Sequence, residues 1–146
     1  MKVSSAMTRD VRLVKPEQTM RDAAQLMAEI DAGAIPVTDN ERLVGIVTDR
    51  DIAIRGVAKG KSPETKIRDV MSEGILYCFD DQELDEVAQN MGKNQVRRLP
   101  VVDRDKRLVG ILSLGDLAAK DDAKSVGKTV SQVSEHGGKH SQTGGG

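Results

Sequence analysis

The run Leu43-Val-Gly-Ile-Val-Thr-Asp-Arg-Asp51 decides the fold of this chain, because nearly the same run returns as Leu108-Val-Gly-Ile-Leu-Ser-Leu-Gly-Asp116. In each copy a short apolar stretch leads to a hydroxyl residue, and an aspartate follows three positions later. The apolar stretch is typical of a β-strand, and a hydroxyl residue is a favoured start for the helix that follows it. The chain therefore contains the same strand-to-helix step twice.

The repeat extends upstream of both runs. Ile35-Pro-Val37 matches Leu99-Pro-Val101, and the opening Val3-Ser-Ser-Ala-Met-Thr8 returns as Ile67-Arg-Asp-Val-Met-Ser72. A single extra residue in the second copy, in the loop between its paired strands, is the only slip in the alignment. A repeat of this length indicates two copies of one supersecondary unit.

Each copy predicts the element order β-α-β-β-α. Met20, Ala23, Ala24, Met27 and Ile30 recur at helical spacing, after a predicted capping box of Thr19 and Asp22, and the matching helix falls near 83–94. The other expected elements are strands 12–14, 34–38, 43–48, 76–79, 99–102 and 108–112 and closing helices 49–58 and 114–120. Because one copy alone exposes its apolar faces, we expect the two to pack face to face as one domain of the α/β (α+β) class.

The repeats set the expected division of the chain. The first repeat is assigned to 1–60 and the second to 61–124, with the polar connection 59–66 at their junction. The pattern then stops, and 125–146 ends in a glycine-rich stretch that we expect to be a flexible tail.

Composition excludes several classes of partner. The 146 residues carry 22 basic and 23 acidic side chains, so there is no basic excess for duplex nucleic acid. Tyr77 and Phe79 are the only aromatic residues, too few to stack the bases of a single strand. No apolar run is long enough to span a membrane, and the first residues lack the apolar core of a secretion signal. The single cysteine, Cys78, fits a reducing compartment and a small core position. We therefore expect a cytoplasmic protein with no nucleic-acid or membrane partner.

The candidate chemistry lies in the pairs Thr48 with Asp51 and Ser113 with Asp116. A hydroxyl at a helix start can bind a phosphate, and a carboxylate one turn later can accept two hydrogen bonds from a ribose diol. The alternative is that both pairs are only helix caps. Duplication of the whole arrangement favours the nucleotide interpretation.

The ordered blocks Met-Thr, Ile-Pro-Val and Leu-Val-Gly-Ile-Val-Thr-Asp-Arg-Asp, present twice over 1–122, resemble a tandem pair of cystathionine-β-synthase (CBS) domains. The chain is similar in particular to small stand-alone bacterial CBS-pair proteins. The resemblance implies a Bateman module, in which two units pack with pseudo-twofold symmetry and their clefts bind AMP, ADP, ATP, NAD or S-adenosylmethionine. It also implies a regulatory protein without catalysis that forms a homodimer through its helical faces.

The resemblance also implies the nucleotide-binding residues. The ribose carboxylates are Asp51 and Asp116, the hydroxyl positions are Thr48 and Ser113, and the adenine-lining pairs are Ile35 with Pro36 and Leu99 with Pro100. Arg97 and Arg98 precede Leu99, where a guanidinium fork suits phosphate, whereas Gly33 and Ala34 hold these places in the first repeat. The alternative for the two arginines is a solvated strand end. Asp49 is an extra carboxylate that would repel a polyphosphate from the first repeat.

No catalytic arrangement is evident. The only histidines, His136 and His140, lie in the tail, which excludes a Ser-His-Asp or Cys-His arrangement in the repeats and leaves only a weak metal site. No Walker-type glycine loop occurs. The sequence therefore predicts a sensor of adenine nucleotides that needs no cofactor and has no enzymatic activity. The alternative is a ligand-free dimerising or stress-related interaction module.

Overall fold

The structure, a computed structural model, describes residues 1–120, apart from the side chain of Lys120. The proposed tail 125–146 lies outside the described residues. The chain divides into two compact units. One, the first-repeat unit, is Arg12–Ile75, and the other, the second-repeat unit, combines Met1–Val11 with 76–120 of the described residues.

The mixed α/β class and most predicted elements are confirmed. In chain order the elements are α1 (Val3–Ala6), α2 (Met20–Ile30), β1 (Ala34–Asp39), β2 (Arg42–Thr48), α3 (Asp49–Asp51), a π-helical turn (Ile52–Gly56), a 3-10 turn (Val57–Lys59), a second 3-10 turn (Ile67–Asp69), β3 (Cys78–Phe79), α4 (Leu84–Asn94), β4 (Arg98–Val102), β5 (Leu108–Ser113) and α5 (Leu114–Lys120). None of the helices within 1–120 is both long and apolar enough to cross a bilayer.

Helix α2 begins as its sequence predicts. The backbone N–H of Asp22 donates to Thr19 Oγ1, the N–H of Thr19 donates to Asp22 Oδ2, and both distances are 3.1 Å. Met20, Ala23 and Met27 form its buried face. Ala24 is exposed, so the apolar stripe that packs against the core is narrower than the spacing alone suggests.

Three predicted elements differ in detail. The strand expected at 76–79 is limited to Cys78–Phe79. The strand expected at 12–14 is reduced to one parallel bridge between Val14 and Val37. The rung before it would need an N–H from Pro36 and the rung after it one from Pro16, and proline has none. The closing helix expected at 49–58 starts as α-helix but widens to a π-helical turn. This turn places Gly56 against Met20, whose Sδ would lie 2.4 Å from a Cβ at the glycine position.

The two sheets share one pattern. In the first-repeat unit β1 and β2 are antiparallel, with Ala34 opposite Thr48. In the second-repeat unit the strand order is β3-β4-β5, with β3 parallel to β4 and Arg98 opposite Ser113 in the antiparallel β4–β5 pair. Each hairpin also has a register shift, at Val37/Thr38 and at Val101/Val102, which are matching positions of the repeat.

The opening segment of each repeat packs in the unit built mainly from the other repeat. Thr8 exchanges two backbone hydrogen bonds of 2.9 Å with Ile111, and Ser72 exchanges bonds of 2.8 and 2.9 Å with Ile46. Val3 is fully buried in the core of the second-repeat unit, and Ile67 is fully buried in the core of the first-repeat unit. Each compact unit therefore combines segments of both sequence repeats, while the division of the repeats at 1–60 and 61–124 stays a prediction.

The glycine in each Leu-Val-Gly-Ile run permits this exchange. A Cβ at Gly110 would lie 2.9 Å from the carbonyl oxygen of Thr8, and a Cβ at Gly45 would lie 2.7 Å from that of Ser72. Both distances are too short for a side-chain carbon against a fixed backbone oxygen. Only glycine lets the opening segment approach the strand so closely.

Candidate functional site

Thr48 and Asp51 form a reciprocal cap in the first-repeat unit. Thr48 ends β2 and precedes α3; its N–H donates to Asp51 Oδ2, its Oγ1 accepts from the N–H of Asp51, and both distances are 3.0 Å. The Asp51 side chain is 12% exposed, and its Oδ1 lies 3.8 Å from Nε of Arg55, one turn later. Arg55 Nη1 also donates to the carbonyl oxygen of Met71 at 3.1 Å. The carboxylate is thus held in place by the backbone on one side and faces a cation on the other.

Ser113 and Asp116 form the matching arrangement in the second-repeat unit. The N–H and Oγ of Ser113 donate to Asp116 Oδ2 at 2.9 and 3.1 Å, and Ser113 Oγ accepts from the N–H of Asp116 at 3.2 Å. Here the neighbour of Oδ1 is the hydroxyl of Thr8, which donates to it at 3.2 Å. The two carboxylates therefore have equivalent caps and different neighbours.

Two of the predicted adenine-lining residues, Ile35 and Leu99, lie beside the hydroxyls, but their side chains belong to the cores. Ile35 is fully buried and Leu99 is 5% exposed, each within the core cluster of its own unit. Pro36 and Pro100 are also buried. In both units these strand residues follow directly on Ala34 or Arg98, the residue opposite the hydroxyl. Because side chains alternate along a strand, Pro36 and Pro100 face away from these clusters, so a base would meet the prolines and the strand backbones.

The charge around the two caps differs. Arg97 accepts a backbone hydrogen bond from Leu114, and Arg98 is opposite Ser113, so both arginines flank the Ser113–Asp116 turn. Both are exposed, and within 1–120 neither guanidinium has a hydrogen bond or ion pair. In the first-repeat unit the equivalent strand positions carry no charge.

The turn of the first-repeat unit instead carries its own pair of charges. The N–H of Asp49 donates to the carbonyl oxygen of Gly33 at 2.9 Å, and Asp49 Oδ1 accepts from the N–H of Arg50 at 2.8 Å. The side chains of Asp49 and Arg50 are both exposed. A phosphate at this turn would meet a carboxylate as well as a guanidinium, whereas the turn at Ser113 offers it two guanidiniums.

Thr8 and Arg55 are site neighbours that the sequence reasoning missed. Arg55 follows Asp51 at the i, i+4 spacing of helical ion pairs, a signal that could have identified it. Thr8 was recognised only as part of the repeated opening block. Its contact with Asp116 joins residues 108 positions apart, and no local pattern predicts such a contact.

Other reactive groups do not add to the site. Cys78 is 3% exposed, and its burial, with the Asp80 charge as a smaller cause, raises the pKa of the thiol to about 12. Its predicted role as a small core residue is confirmed. Within 1–120 no three His, Cys, Asp or Glu side chains come together as a metal site, and His136 and His140 lie outside the described residues.

Comparison with known proteins identifies the repeat. The family model described as "CBS domain" matches the chain twice, over 3–56 and 67–122. The CBS domain-containing protein YhcV of Bacillus subtilis is 41% identical over 133 residues, which cover 90% of this chain and 94% of that protein. The similarity thus extends over nearly the whole length of both chains.

Two similar solved structures hold adenosine compounds. CBSX2 in complex with AMP has a TM-score of 0.70 and 32% identity, and the match covers 81% of this chain and 93% of that one. The CBS domain pair of MJ0100, in complex with 5′-methylthioadenosine and S-adenosyl-L-methionine, has a TM-score of 0.67 and 26% identity over 82% of this chain and 94% of that one.

Proposed function

The chain belongs to the CBS-domain family, and on that premise we propose that it is a regulatory module that binds adenosine-containing ligands. The observation that carries this proposal is the duplicated cap at Thr48–Asp51 and Ser113–Asp116. In both caps the backbone holds Oδ2 of the aspartate, while Oδ1 has room to accept from a ribose hydroxyl. A carboxylate held in this way needs no rearrangement to bind a diol, which favours affinity.

The remaining site residues are assigned to the phosphate and the adenine of the ligand. The hydroxyl of Thr48 donates to phosphate, and that of Ser113 does so when its proton turns from Asp116 Oδ2 to the ligand. The backbones at Ile35, Pro36, Leu99 and Pro100 border the adenine. Arg97 and Arg98 add phosphate contacts in the second-repeat unit, because both guanidiniums are exposed beside the Ser113 turn.

The expected ligands include AMP, ADP, ATP, NAD and S-adenosylmethionine. AMP and S-adenosylmethionine are favoured because similar CBS-pair structures hold them. The ligand acts as a signal rather than a substrate, and no cofactor is required. Asp51 and Asp116 are engaged in caps and ribose binding, so neither is free to orient an attacking water on a phosphate.

The same proposal includes a homodimer in the cytoplasm. Ile54 is 49% exposed and Val57 is 68% exposed, on the π-helical and 3-10 turns that follow Asp51. A second copy of the chain packed through its helical faces would cover these side chains, and dimerisation would give ligand occupancy a way to reach a partner protein. Light scattering at micromolar concentration should report a dimer, and a monomer with and without AMP would contradict this assignment.

Calorimetry with AMP, ATP, NAD and S-adenosylmethionine tests ligand binding directly. The Asp51→Ala, Asp116→Ala double variant should lose binding of every ligand that the natural chain binds. Asp22→Ala is the matched control, because Asp22 caps α2 through the same pair of hydrogen bonds but lies outside the proposed site. Each aspartate variant should lose about 1 kcal/mol of stability as a cap, and only the double variant should lose the ligand.

Thermal unfolding provides a second measurement. A ligand at a hundredfold excess over its Kd raises the free energy of unfolding by about 2.7 kcal/mol. Unchanged affinity in the double variant, or no response of the natural chain to any of the four ligands, would overturn the proposal. The ligand-free interaction module would then be the better interpretation.

A further inference from the structure

One backbone hydrogen bond lies beside the hydroxyl turn in both units, but it joins residues of different charge. In the first-repeat unit the N–H of Asp49 donates to the carbonyl oxygen of Gly33 at 2.9 Å. In the second-repeat unit the N–H of Leu114 donates to the carbonyl oxygen of Arg97 at 3.1 Å. The backbones therefore match, and the side chains at these positions set the charge that meets the 5′ group of a ligand.

The first-repeat unit presents one charge of each sign beside Thr48. Asp49 and Arg50 are both exposed, and adjacent residues of a helix do not face each other, so the two charges stay separate. Asp49 Oδ1 accepts from the N–H of Arg50, while within 1–120 its Oδ2 and the Arg50 guanidinium have no hydrogen bond or ion pair. Gly33 and Ala34, at the start of the paired strand, are uncharged. A ligand would therefore meet an open carboxylate and an open guanidinium here.

The second-repeat unit presents two positive charges beside Ser113. Arg97 and Arg98 are exposed, and in the described part of the chain neither guanidinium is paired. Leu114 and Gly115, the two residues after Ser113, carry no charge. The aspartate of the cap is common to both units and does not alter this difference. At the matching positions one unit is thus of mixed charge and the other is cationic.

The 5′ groups of the two favoured ligands differ in the same way. AMP carries a phosphate with a charge of about −1.5 to −2 near neutral pH. S-adenosylmethionine carries a sulfonium and an ammonium together with one carboxylate, so both signs are present and positive charge is in excess. Two guanidiniums suit the phosphate, because each presents a planar fork of donors. A carboxylate next to a guanidinium suits the methionyl group, because each of its charges then meets one of opposite sign.

We infer that the two units sort adenosine compounds by the charge of the 5′ group. The second-repeat unit binds AMP through Arg97 and Arg98. The first-repeat unit binds S-adenosylmethionine, with Asp49 on a cationic group of the ligand and Arg50 on its carboxylate. This inference rests on the proposed function, and it makes the chain a sensor of two signals, a nucleotide and a sulfonium compound.

Calorimetry on two single-site chains tests the sorting. Asp51→Ala leaves the second-repeat unit to be measured, and Asp116→Ala leaves the first-repeat unit. AMP should bind at least about 10-fold more tightly to the Asp51→Ala chain, which is the effect of one charge-assisted hydrogen bond. S-adenosylmethionine should prefer the Asp116→Ala chain by a similar factor. Adenosine, which has no charge at its 5′ position, should distinguish the two chains less than either charged ligand does.

Charge variants identify the residues responsible. In the Asp51→Ala chain, Arg98→Gln should weaken AMP binding roughly 10-fold. In the Asp116→Ala chain, Asp49→Asn should weaken S-adenosylmethionine binding roughly 3- to 10-fold and strengthen AMP binding, because a repelling carboxylate is gone. Neither variant should change the Kd of adenosine, so adenosine also reports whether the site is still folded.

Two control variants remove the same kinds of charge at the other end of each hairpin. Lys106→Gln neutralises a cation in the β4–β5 turn, and Asp39→Asn neutralises an anion at the end of β1. Each should leave the Kd of the ligand of its own unit within about twofold, because distance and salt screen these charges.

The outcomes separate this inference from the proposed function. If AMP and S-adenosylmethionine prefer the same single-site chain, or neither has a preference, the units do not sort by charge and the proposed function still stands. The same conclusion follows if Arg98→Gln and Asp49→Asn change the Kd of adenosine as much as that of the charged ligands, or do no more than the controls. If the natural chain binds none of the three compounds, the proposed function fails and the inference fails with it.

Discussion

The first-repeat and second-repeat units use one backbone arrangement for two different side-chain environments. The capping distance from the hydroxyl residue's N–H to the aspartate Oδ2 is 3.0 Å at Thr48 and 2.9 Å at Ser113. The neighbour of the aspartate is the cation of Arg55 in one unit and the hydroxyl of Thr8 in the other. The comparison teaches that the same local cap can hold a carboxylate in two environments, one set by the next helical turn and the other by a segment more than a hundred residues away.

A second difference lies at the first strand of each unit. Val14 makes one bridge, whereas Cys78 and Phe79 form a two-residue strand. The guanidinium of Arg104 lies 4.0 Å from the ring centroid of Phe79 and donates to both oxygens of Asp81 at 2.8 and 2.7 Å, which lowers the pKa of that carboxyl. Side-chain contacts of Arg104 thus link the loop of the β4–β5 hairpin to β3 and the residues just after it.

The largest expected effect comes from removing the exchanged anchors. Ile67→Ala should cost about 2–5 kcal/mol of unfolding free energy, because it leaves a cavity in the core of the first-repeat unit. Val3→Ala, in the second-repeat unit, should cost less because fewer buried methyl groups are removed. Urea unfolding measures both. Leu76→Ala, at a side chain that is 40% exposed, is the control and should stay within about 0.5 kcal/mol; an equally small effect of Ile67→Ala would show that the exchanged segment is not an anchor.

A medium effect is expected at the glycines beneath the exchanged segments. Gly45→Ala and Gly110→Ala should each destabilise by about 1–3 kcal/mol, because the new Cβ meets a backbone oxygen that cannot move aside. Chemical denaturation should show similar losses in the two units. A Cβ at Gly74 would meet nothing within 4 Å, so Gly74→Ala should be nearly neutral. A neutral Gly110→Ala would contradict the close approach of Thr8.

The smallest expected effect is a pH dependence of stability that Cys78 gives to the second-repeat unit and that Val14, its counterpart, does not give to the first. Burial raises the pKa of the Cys78 thiol from 9.0 to about 12, so the unfolded chain loses this proton first. The contribution of the protonated thiol to the free energy of unfolding is therefore fully present below pH 9 and is lost as the pH rises toward 12, by about 1–1.5 kcal/mol at pH 10. Cys78→Val, which places the first repeat's Val14 residue type here, should remove this loss when unfolding is measured from pH 7 to 10. Parallel pH profiles for the two chains would contradict it.

Much of the fold was predictable because its determinants are close in the chain. The α2 cap needs only Thr19 and Asp22, three residues apart, and the helix that follows needs only the spacing of its apolar residues. The hairpins followed from two short apolar runs around a polar turn. The predictions of a strand at 12–14 and of a regular helix at 49–58 were less accurate. Pro16 and Pro36 interrupt the ladder of the strand, and the helix widens where Gly56 packs against Met20.

The candidate site likewise has local features that the sequence predicts and long-range contacts that it does not. Thr48–Asp51 and Ser113–Asp116 could be identified from the sequence because each pair is local and occurs twice. The sequence does not show which strand each opening segment pairs with. The two Leu-Val-Gly-Ile runs are nearly alike, so the local pattern allows Thr8 to pair with either strand. Only the tertiary structure pairs Thr8 with Ile111 and brings its hydroxyl to Asp116, since that choice depends on contacts between residues more than a hundred positions apart.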